Sequence, residues 1–252
     1  MFKEFFILLL LAHLLGDFYM QTKSLAEKKQ NRIRWVFLHA ILYWMANLLV
    51  SLPFRSCSVI VFSSISAFSH LIIDVLKYAF FTNKKKLSAT DNRKIFFFDQ
   101  FIHLFLIALI AFLFADQGKT LLPISVMIQI GNVTGLQPLT FLTWITIILA
   151  LHKPSNLCIS HALTPYKPGE EKSTETLFTQ GDRNAGRFIG TLERAIIIML
   201  LSLQQYSAIG LVLTAKSVAR YDKIAKDSIF AEYYLLGTLL STLLAIIISR
   251  IA

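Results

Sequence analysis

Seven apolar stretches of this chain read as membrane segments, and that limits the fold more than any other feature. They cover residues 5–20, 35–52, 58–81, 95–115, 139–151, 188–214 and 231–251. A hydrocarbon core about 30 Å thick takes roughly 20 apolar residues at about 1.5 Å each. Inside it every backbone N–H and C=O must be satisfied by the protein itself. Helices do so locally, and no alternating strand pattern competes with them here. The sequence therefore reads as an all-α, polytopic transmembrane helical bundle of about seven membrane segments. The residues are 55% hydrophobic and only 16% charged, against about 25% charged in ordinary globular chains.

The first block reads as a retained span rather than a removable signal peptide, because it holds His13 and Asp17 and lacks a small-residue cleavage site. The net charge of +10 reads as topology determinants beside the spans, so no nucleic-acid partner is expected. Lys23, Lys28, Lys29, Arg32 and Arg34 follow span 1; Lys84, Lys85, Lys86, Arg93 and Lys94 follow span 3. Span 2 is followed only by Arg55 and span 4 only by Lys119. The basic loops are then cytoplasmic and the N-terminus outside. Lys216, Arg220, Lys223 and Lys226 conflict with a single sixth crossing, which would place them outside. A re-entrant hairpin at 188–214, bending near Gln204, Gln205 and Gly210, is the alternative. The fifth block is short and has room to extend upstream. Residues 153–187, with Pro154, Pro165, Pro168 and Gly169, read as a charged cytoplasmic loop. Three regions follow: a four-helix membrane unit at 1–115, the loop and short span 5 at 116–187, and C-terminal membrane helices at 188–252. Cys57 and Cys158 fit no metal-finger spacing and fall on opposite sides of the membrane in this topology.

Ionisable groups inside spans cost about 2.5–3.5 kcal/mol each on insertion scales, so they mark function. The first four spans carry His13 and Asp17, His39, His70 and Asp74, and Asp99 and His103. Span 5 carries none. Three of these are i,i+4 pairs, which stack on one helix face. Ser63, Ser66, His70, Asp74 and Lys77 share a face of span 3; His39, Tyr43 and Asn47 share one of span 2. At about 1.5 Å per residue nearly all lie roughly 6–17 Å below the cytoplasmic surface. The order of His and Asp reverses between spans 3 and 4, as antiparallel helices require if Asp is to face Asp. Four helices thus offer one layer of ligands.

Imidazole and carboxylate suit Zn²⁺, Mn²⁺ or Fe²⁺, and seven groups exceed one tetrahedral site. Some would orient ligating imidazoles, or two metals would share the layer. Bundle cores build metal sites in this way. The structural alternative is His–Asp hydrogen bonding as helix glue, and a proton or ion pathway is a third use. Elsewhere, Asp116 and Lys119 read as solvated, and His152 and His161 as loop histidines. Glu193 and Arg194 open the sixth block as a local pair, a helix cap or a loop contact. Gln205, Tyr206, Lys216 and Arg220 are candidates for an anionic headgroup, though basic residues at an interface usually anchor. No P-loop, GxSxG, HExxH or dinucleotide fingerprint is present.

The segments His13-Leu-Leu-Gly-Asp17-Phe-Tyr-Met-Gln21, His39, His70-Leu-Ile-Ile-Asp74-Val-Leu-Lys77 and Phe98-Asp99-Gln100-Phe-Ile-His103 resemble the bacterial membrane proteins grouped as domain-of-unknown-function family 3307. The likeness covers roughly the first 115 residues. Arg187-Phe-Ile-Gly, Leu-Glu193-Arg194, Gln205-Tyr206-Ser-Ala-Ile-Gly210, Ala215-Lys216-Ser217 and Phe230-Ala-Glu232-Tyr233-Tyr resemble the tail of longer members. The resemblance implies a bacterial cytoplasmic membrane and supplies no activity. A looser similarity, in polar His and Asp motifs on short apolar spans, is to membrane-bound metal-dependent hydrolases.

The leading expectation is a metal-dependent hydrolase of a lipid or membrane-proximal ester or phosphoester. His13, Asp17, His39, His70, Asp74, Asp99 and His103 are its metal ligands. One of Asp17, Asp74 and Asp99 is the general base. Gln21, Lys77 and Gln100 are outer-shell or substrate contacts. A proton or metal-ion transporter and a non-catalytic membrane scaffold are the alternatives.

Overall fold

A computed structural model describes residues 1–54, 56–81, 89–166 and 180–251. Arg55, the Lys84–Lys86 run, Pro168 and Gly169 lie outside the described residues. Helices make up the fold; among the described residues the extended pairing is one isolated antiparallel bridge, Phe54 with Pro123. Two compact units result, Met1–Leu149 and Ala150–Ala252.

The first unit is wrapped around its first span. Helix α1 (Phe2–His13) is buried without a break from Ile7 to His13, so no face of it meets lipid over that stretch. It continues as a π-helix over Leu14–Met20, where a regular α-helical span was expected. The wider turn is closed by the amide of Gln21 donating to the Gly16 carbonyl at 3.2 Å. Gly16 sits against the Tyr43 ring, and a Cβ there would collide with it. The chain then bends by 88° into α2 (Lys23–Asn31), whose first turn is capped by Thr22 Oγ1 accepting from the Leu25 amide at 3.2 Å.

Helices α3 (Ile33–Ser51), α4 (Cys57–Phe81) and α5 (Ala89–Asp116) surround α1. Their patterning is inverted relative to a soluble protein. On α3, His39, Tyr43, Asn47 and Ser51 are buried, while Phe37, Ile41, Trp44, Met45 and Leu49 are exposed. On α4, Ser63, Ser66, His70 and Asp74 are buried, while Ile65, Phe68, Ile72 and Leu76 are exposed. A polar interior under an apolar coat suits lipid and not water. At one end Phe5, Phe62 and Phe114 form an aromatic plug, with Phe5 and Phe114 stacked at 3.9 Å. Helix α6 (Ser125–Thr134) was not expected in the connection. Gly135 stops it with a left-handed φ of 73°, and α7 (Pro138–Leu151) follows.

The second unit corrects two expectations. The fifth span extends downstream, not upstream: Gly135 ends α6 just before it, whereas α8 (Lys153–Ala162) follows after a break at His152. Pro154 has no N–H to give the Ala150 carbonyl, and the Ser155 hydroxyl donates to it instead at 2.7 Å. The stretch read as a loop therefore begins and ends in helix, because α9 (Gln180–Ser202) starts before the expected sixth span.

The sixth block folds back on itself. Gln204 takes a left-handed φ of 59°, and the Gln205 amide donates to the Leu200 carbonyl at 2.8 Å. Helix α9 stops there by a glycine-type cap built on glutamine. Helix α10 (Tyr206–Val218) returns along α9 and brings Lys216 Nζ to within 2.6 Å of Glu193 Oε2. The charge conflict around Lys216 is thereby removed, since both ends of the hairpin lie together. Short α11 (Tyr221–Lys226) and long α12 (Ser228–Ser249) complete the chain. Among the described residues five helices are long and apolar enough to cross a membrane, or six when the bent first pair counts as one span. The protein is a multi-span helical membrane protein.

Candidate metal centre

The four spans of the first unit deliver their ionisable residues to one place. His13 closes α1, and the π-turn carries Asp17. Helix α3 supplies His39, α4 His70 and Asp74, and α5 Asp99 and His103. All four imidazoles and Asp74 are 3% exposed or less. Ring centroids lie 4.3 Å apart for His70 and His103, 5.3 Å for His39 and His70, and 5.5 Å for His13 and His103.

Asp17 is at the centre. Its Oδ1 lies 2.7 Å from His70 Nε2 and 3.1 Å from His39 Nε2, and its Oδ2 3.9 Å from His13 Nδ1. Asp74 Oδ2 is 3.6 Å from both His39 Nε2 and His70 Nδ1. Three sets hold their ligand atoms within 4.8 Å of one another: His13, Asp17 and His70; His39, His70 and Asp74; Asp74, Asp99 and His103. The last set brings Asp74 of α4 and Asp99 of α5 together, as their reversed order demands. Two ligands at about 2.1 Å from a tetrahedral ion stand roughly 3.4 Å apart, and each set is compact enough that it could hold an ion.

Ring-nitrogen roles support that fit. His103 Nδ1 donates to the Asp99 carbonyl at 2.8 Å. This fixes the tautomer and leaves Nε2 with its lone pair, buried and without a hydrogen-bond partner. Nδ1 of His39 and of His70 are orphaned likewise. Metal-ligating histidines characteristically donate their other ring N–H to a carbonyl or carboxylate, as His103 does. Three buried imidazole nitrogens are thereby open to an ion.

The outer groups take definite places. Gln100 Oε1 accepts from His13 Nε2 at 3.4 Å. Lys77 Nζ is 2.8 Å from Asp99 Oδ2. Gln21 Oε1 accepts from Lys29 Nζ at 3.1 Å. With neutral imidazoles, three carboxylates against Lys29 and Lys77 leave one net negative charge for a cation to balance. A cavity of about 10 Å³, room for one water, is lined by Tyr43, Ser66, Ser69, His70 and His103 among others.

Sequence reasoning missed two participants. Lys29, read as a topology charge, reaches both oxygens of Asp74 at 3.0 and 2.8 Å. Its signal is the short polar helix directly after the span. Tyr43 was placed only on the His39 face. Its hydroxyl meets His13 Nδ1 at 3.3 Å, and its ring centroid lies 3.7 Å from that of His70. The other candidates stand in the second unit. Arg194, 1% exposed, caps the Leu151 carbonyl through Nε and Nη2 at 3.0 and 2.8 Å and reaches Asn156 and Ser241. His152 meets Thr191. Gln205 and Tyr206 stand at the hairpin's tip and Lys216 and Arg220 at its base, so they form no common headgroup site.

No curated protein and no solved structure matched the chain. A family model did, described as protein of unknown function, DUF3307, over residues 5–130. That stretch is half of the chain and holds every residue of the His/Asp cluster; the protein belongs to the DUF3307 family.

Proposed function

We propose that the four-span cluster binds a divalent transition metal, Zn²⁺, Mn²⁺ or Fe²⁺, and serves hydrolysis of a lipid or membrane-proximal ester or phosphoester. The observation that carries this reading is the set of buried, unpartnered imidazole nitrogens around carboxylates at ligand spacing. His13, His39, His70 and His103 are the ligands, with Asp17, Asp74 and Asp99. A bound metal would supply a water acidic enough to act as a nucleophile near neutral pH. One of the three carboxylates would act as general base, and Lys77 and Gln100 fix Asp99. The water-sized cavity against His70 and His103 is where such a nucleophile fits. The setting is a bacterial cytoplasmic membrane, with α2 on the cytoplasmic face and the N-terminus outside. Purified protein should carry stoichiometric transition metal by elemental analysis, and His70→Ala with Asp74→Ala should lose it. Metal-free wild-type protein, or unchanged metal content in the variant, ends this reading.

A transport reading rests on a different observation. Asn47, Ser51, Ser63 and Ser66 form a buried polar file between α3 and α4, with Ser51 Oγ donating to Ser63 Oγ at 2.8 Å. Proton flux into liposomes that Asp74→Asn abolishes would favour it; flux indistinguishable from empty liposomes would exclude it.

A further inference from the structure

Lys29 is an odd lysine. It sits on α2, a polar helix whose buried residue is Leu25. Its neighbours Lys23 and Lys28 are exposed, and Lys28 lies 4.9 Å over the Trp35 ring in the manner of an interface anchor. Lys29 instead turns inward and is 14% exposed. Its ammonium contacts both oxygens of Asp74 and the side-chain carbonyl of Gln21. The contacted Oδ2 is the same atom that faces His39 and His70 at 3.6 Å. The ammonium therefore stands on Asp74, a member of two of the three metal-sized sets.

A divalent ion and an ammonium compete for that oxygen. They repel each other, and a carboxylate shared with a metal is a weaker acceptor for the lysine. Asp99 is contested in the same way by Lys77, although Lys77 is 33% exposed and holds less firmly. Asp17 is approached by imidazoles, so a first metal meets it uncontested.

We infer that Lys29 is the specificity-determining competitor of this centre: its ammonium occupies the Asp74 position, and a metal that takes Asp74 displaces it and undocks α2. The inference rests on the metal-centre reading above. Its consequence for that reading is access. The cluster is closed beneath α2, and the step that completes the ligand set also uncovers it from the membrane surface.

The test uses metal-stripped full-length protein in detergent, titrated with Zn²⁺ against a chromophoric chelator. Lys29→Met should bind Zn²⁺ roughly tenfold more tightly than wild type, the weight of one partly buried charge-assisted pair. Lys29→Arg should stay near wild type. Lys29→Met combined with Asp74→Asn should show no gain, because the contested oxygen is gone. A second readout needs no change at Lys29. In a Cys57→Ser, Cys158→Ser background, the buried Leu25 becomes Leu25→Cys, and saturating Zn²⁺ should raise its maleimide labelling rate. Equal Zn²⁺ affinity in wild type and Lys29→Met overturns the competition and leaves the metal centre standing. So does labelling at position 25 that ignores Zn²⁺, or a gain that survives Asp74→Asn. Absence of Zn²⁺ binding in every variant overturns both readings.

Discussion

Gly16→Ala isolates the coupling between the π-turn and the cluster. A Cβ built at Gly16 lies 3.2 Å from Cε2 and Cγ of Tyr43 and closer still to Cδ2. Carbon atoms prefer separations of about 3.5–4.0 Å, so the ring must withdraw by roughly 1 Å. It has nowhere neutral to go: Tyr43 is 1% exposed, packs against His70 with ring centroids 3.7 Å apart and holds His13 through its hydroxyl. Overpacking of this kind costs about 1–3 kcal/mol. The intrinsic helix preference of alanine over glycine returns at most about 1 kcal/mol. The clash wins, and the expected net loss is about 1–2 kcal/mol. The displaced ring also shifts two imidazoles, so metal affinity should fall about 10–100-fold, as when an outer-shell partner is lost. Thermal unfolding in detergent and Zn²⁺ competition measure the two effects. Tyr43→Leu in the same chain gives the Cβ room, so the double variant should be less destabilised than the two single losses added together. Additive losses, or a Gly16→Ala protein as stable and metal-competent as wild type, would refute the argument.

Three further outcomes are expected. Arg194→Met leaves the Leu151 carbonyl and Asn156 without their donor and should destabilise the protein by about 3 kcal/mol or more, read by thermal unfolding. Arg194→Lys should recover little, because a single ammonium cannot reproduce the fork. Lys216→Met strands the 5%-exposed Glu193 carboxylate and should cost about 3–5 kcal/mol, and adding Glu193→Gln should return much of it. Single cysteines introduced at Arg187 and Arg220, in a background without native cysteines, should label from the same side of sealed vesicles with an impermeant maleimide; labelling from opposite sides would exclude a re-entrant hairpin.

The spans were legible because lipid demands a crude property, twenty apolar residues, that composition alone displays. The cluster was legible because ionisable residues stand out against that background and recur at i,i+4. What stayed hidden depends on backbone irregularity. Nothing in Leu14–Met20 announces a π-turn, since the deciding contact is Gly16 against a ring twenty-seven residues away. The hairpin was visible as a conflict of charges with polar residues at mid-block, but not as a left-handed turn, because Gln204 is an unusual residue for such a cap. Lys29 was read by its neighbourhood, a basic loop, although an 88° bend turns that loop back over the site.

The burial of α1 on every side bears on how the protein is made. α1 is synthesised before the helices that enclose it, yet from Ile7 to His13 it has no lipid-facing side in the finished fold. When it leaves the translocon it carries His13 and Asp17 with none of their partners, His39, His70 and Gln100, yet present. Each such group costs a few kcal/mol in hydrocarbon. The nascent first span is therefore less stable in hydrocarbon alone than after α3 to α5 have closed around it. The first-made helix of this bundle is completed by the later ones.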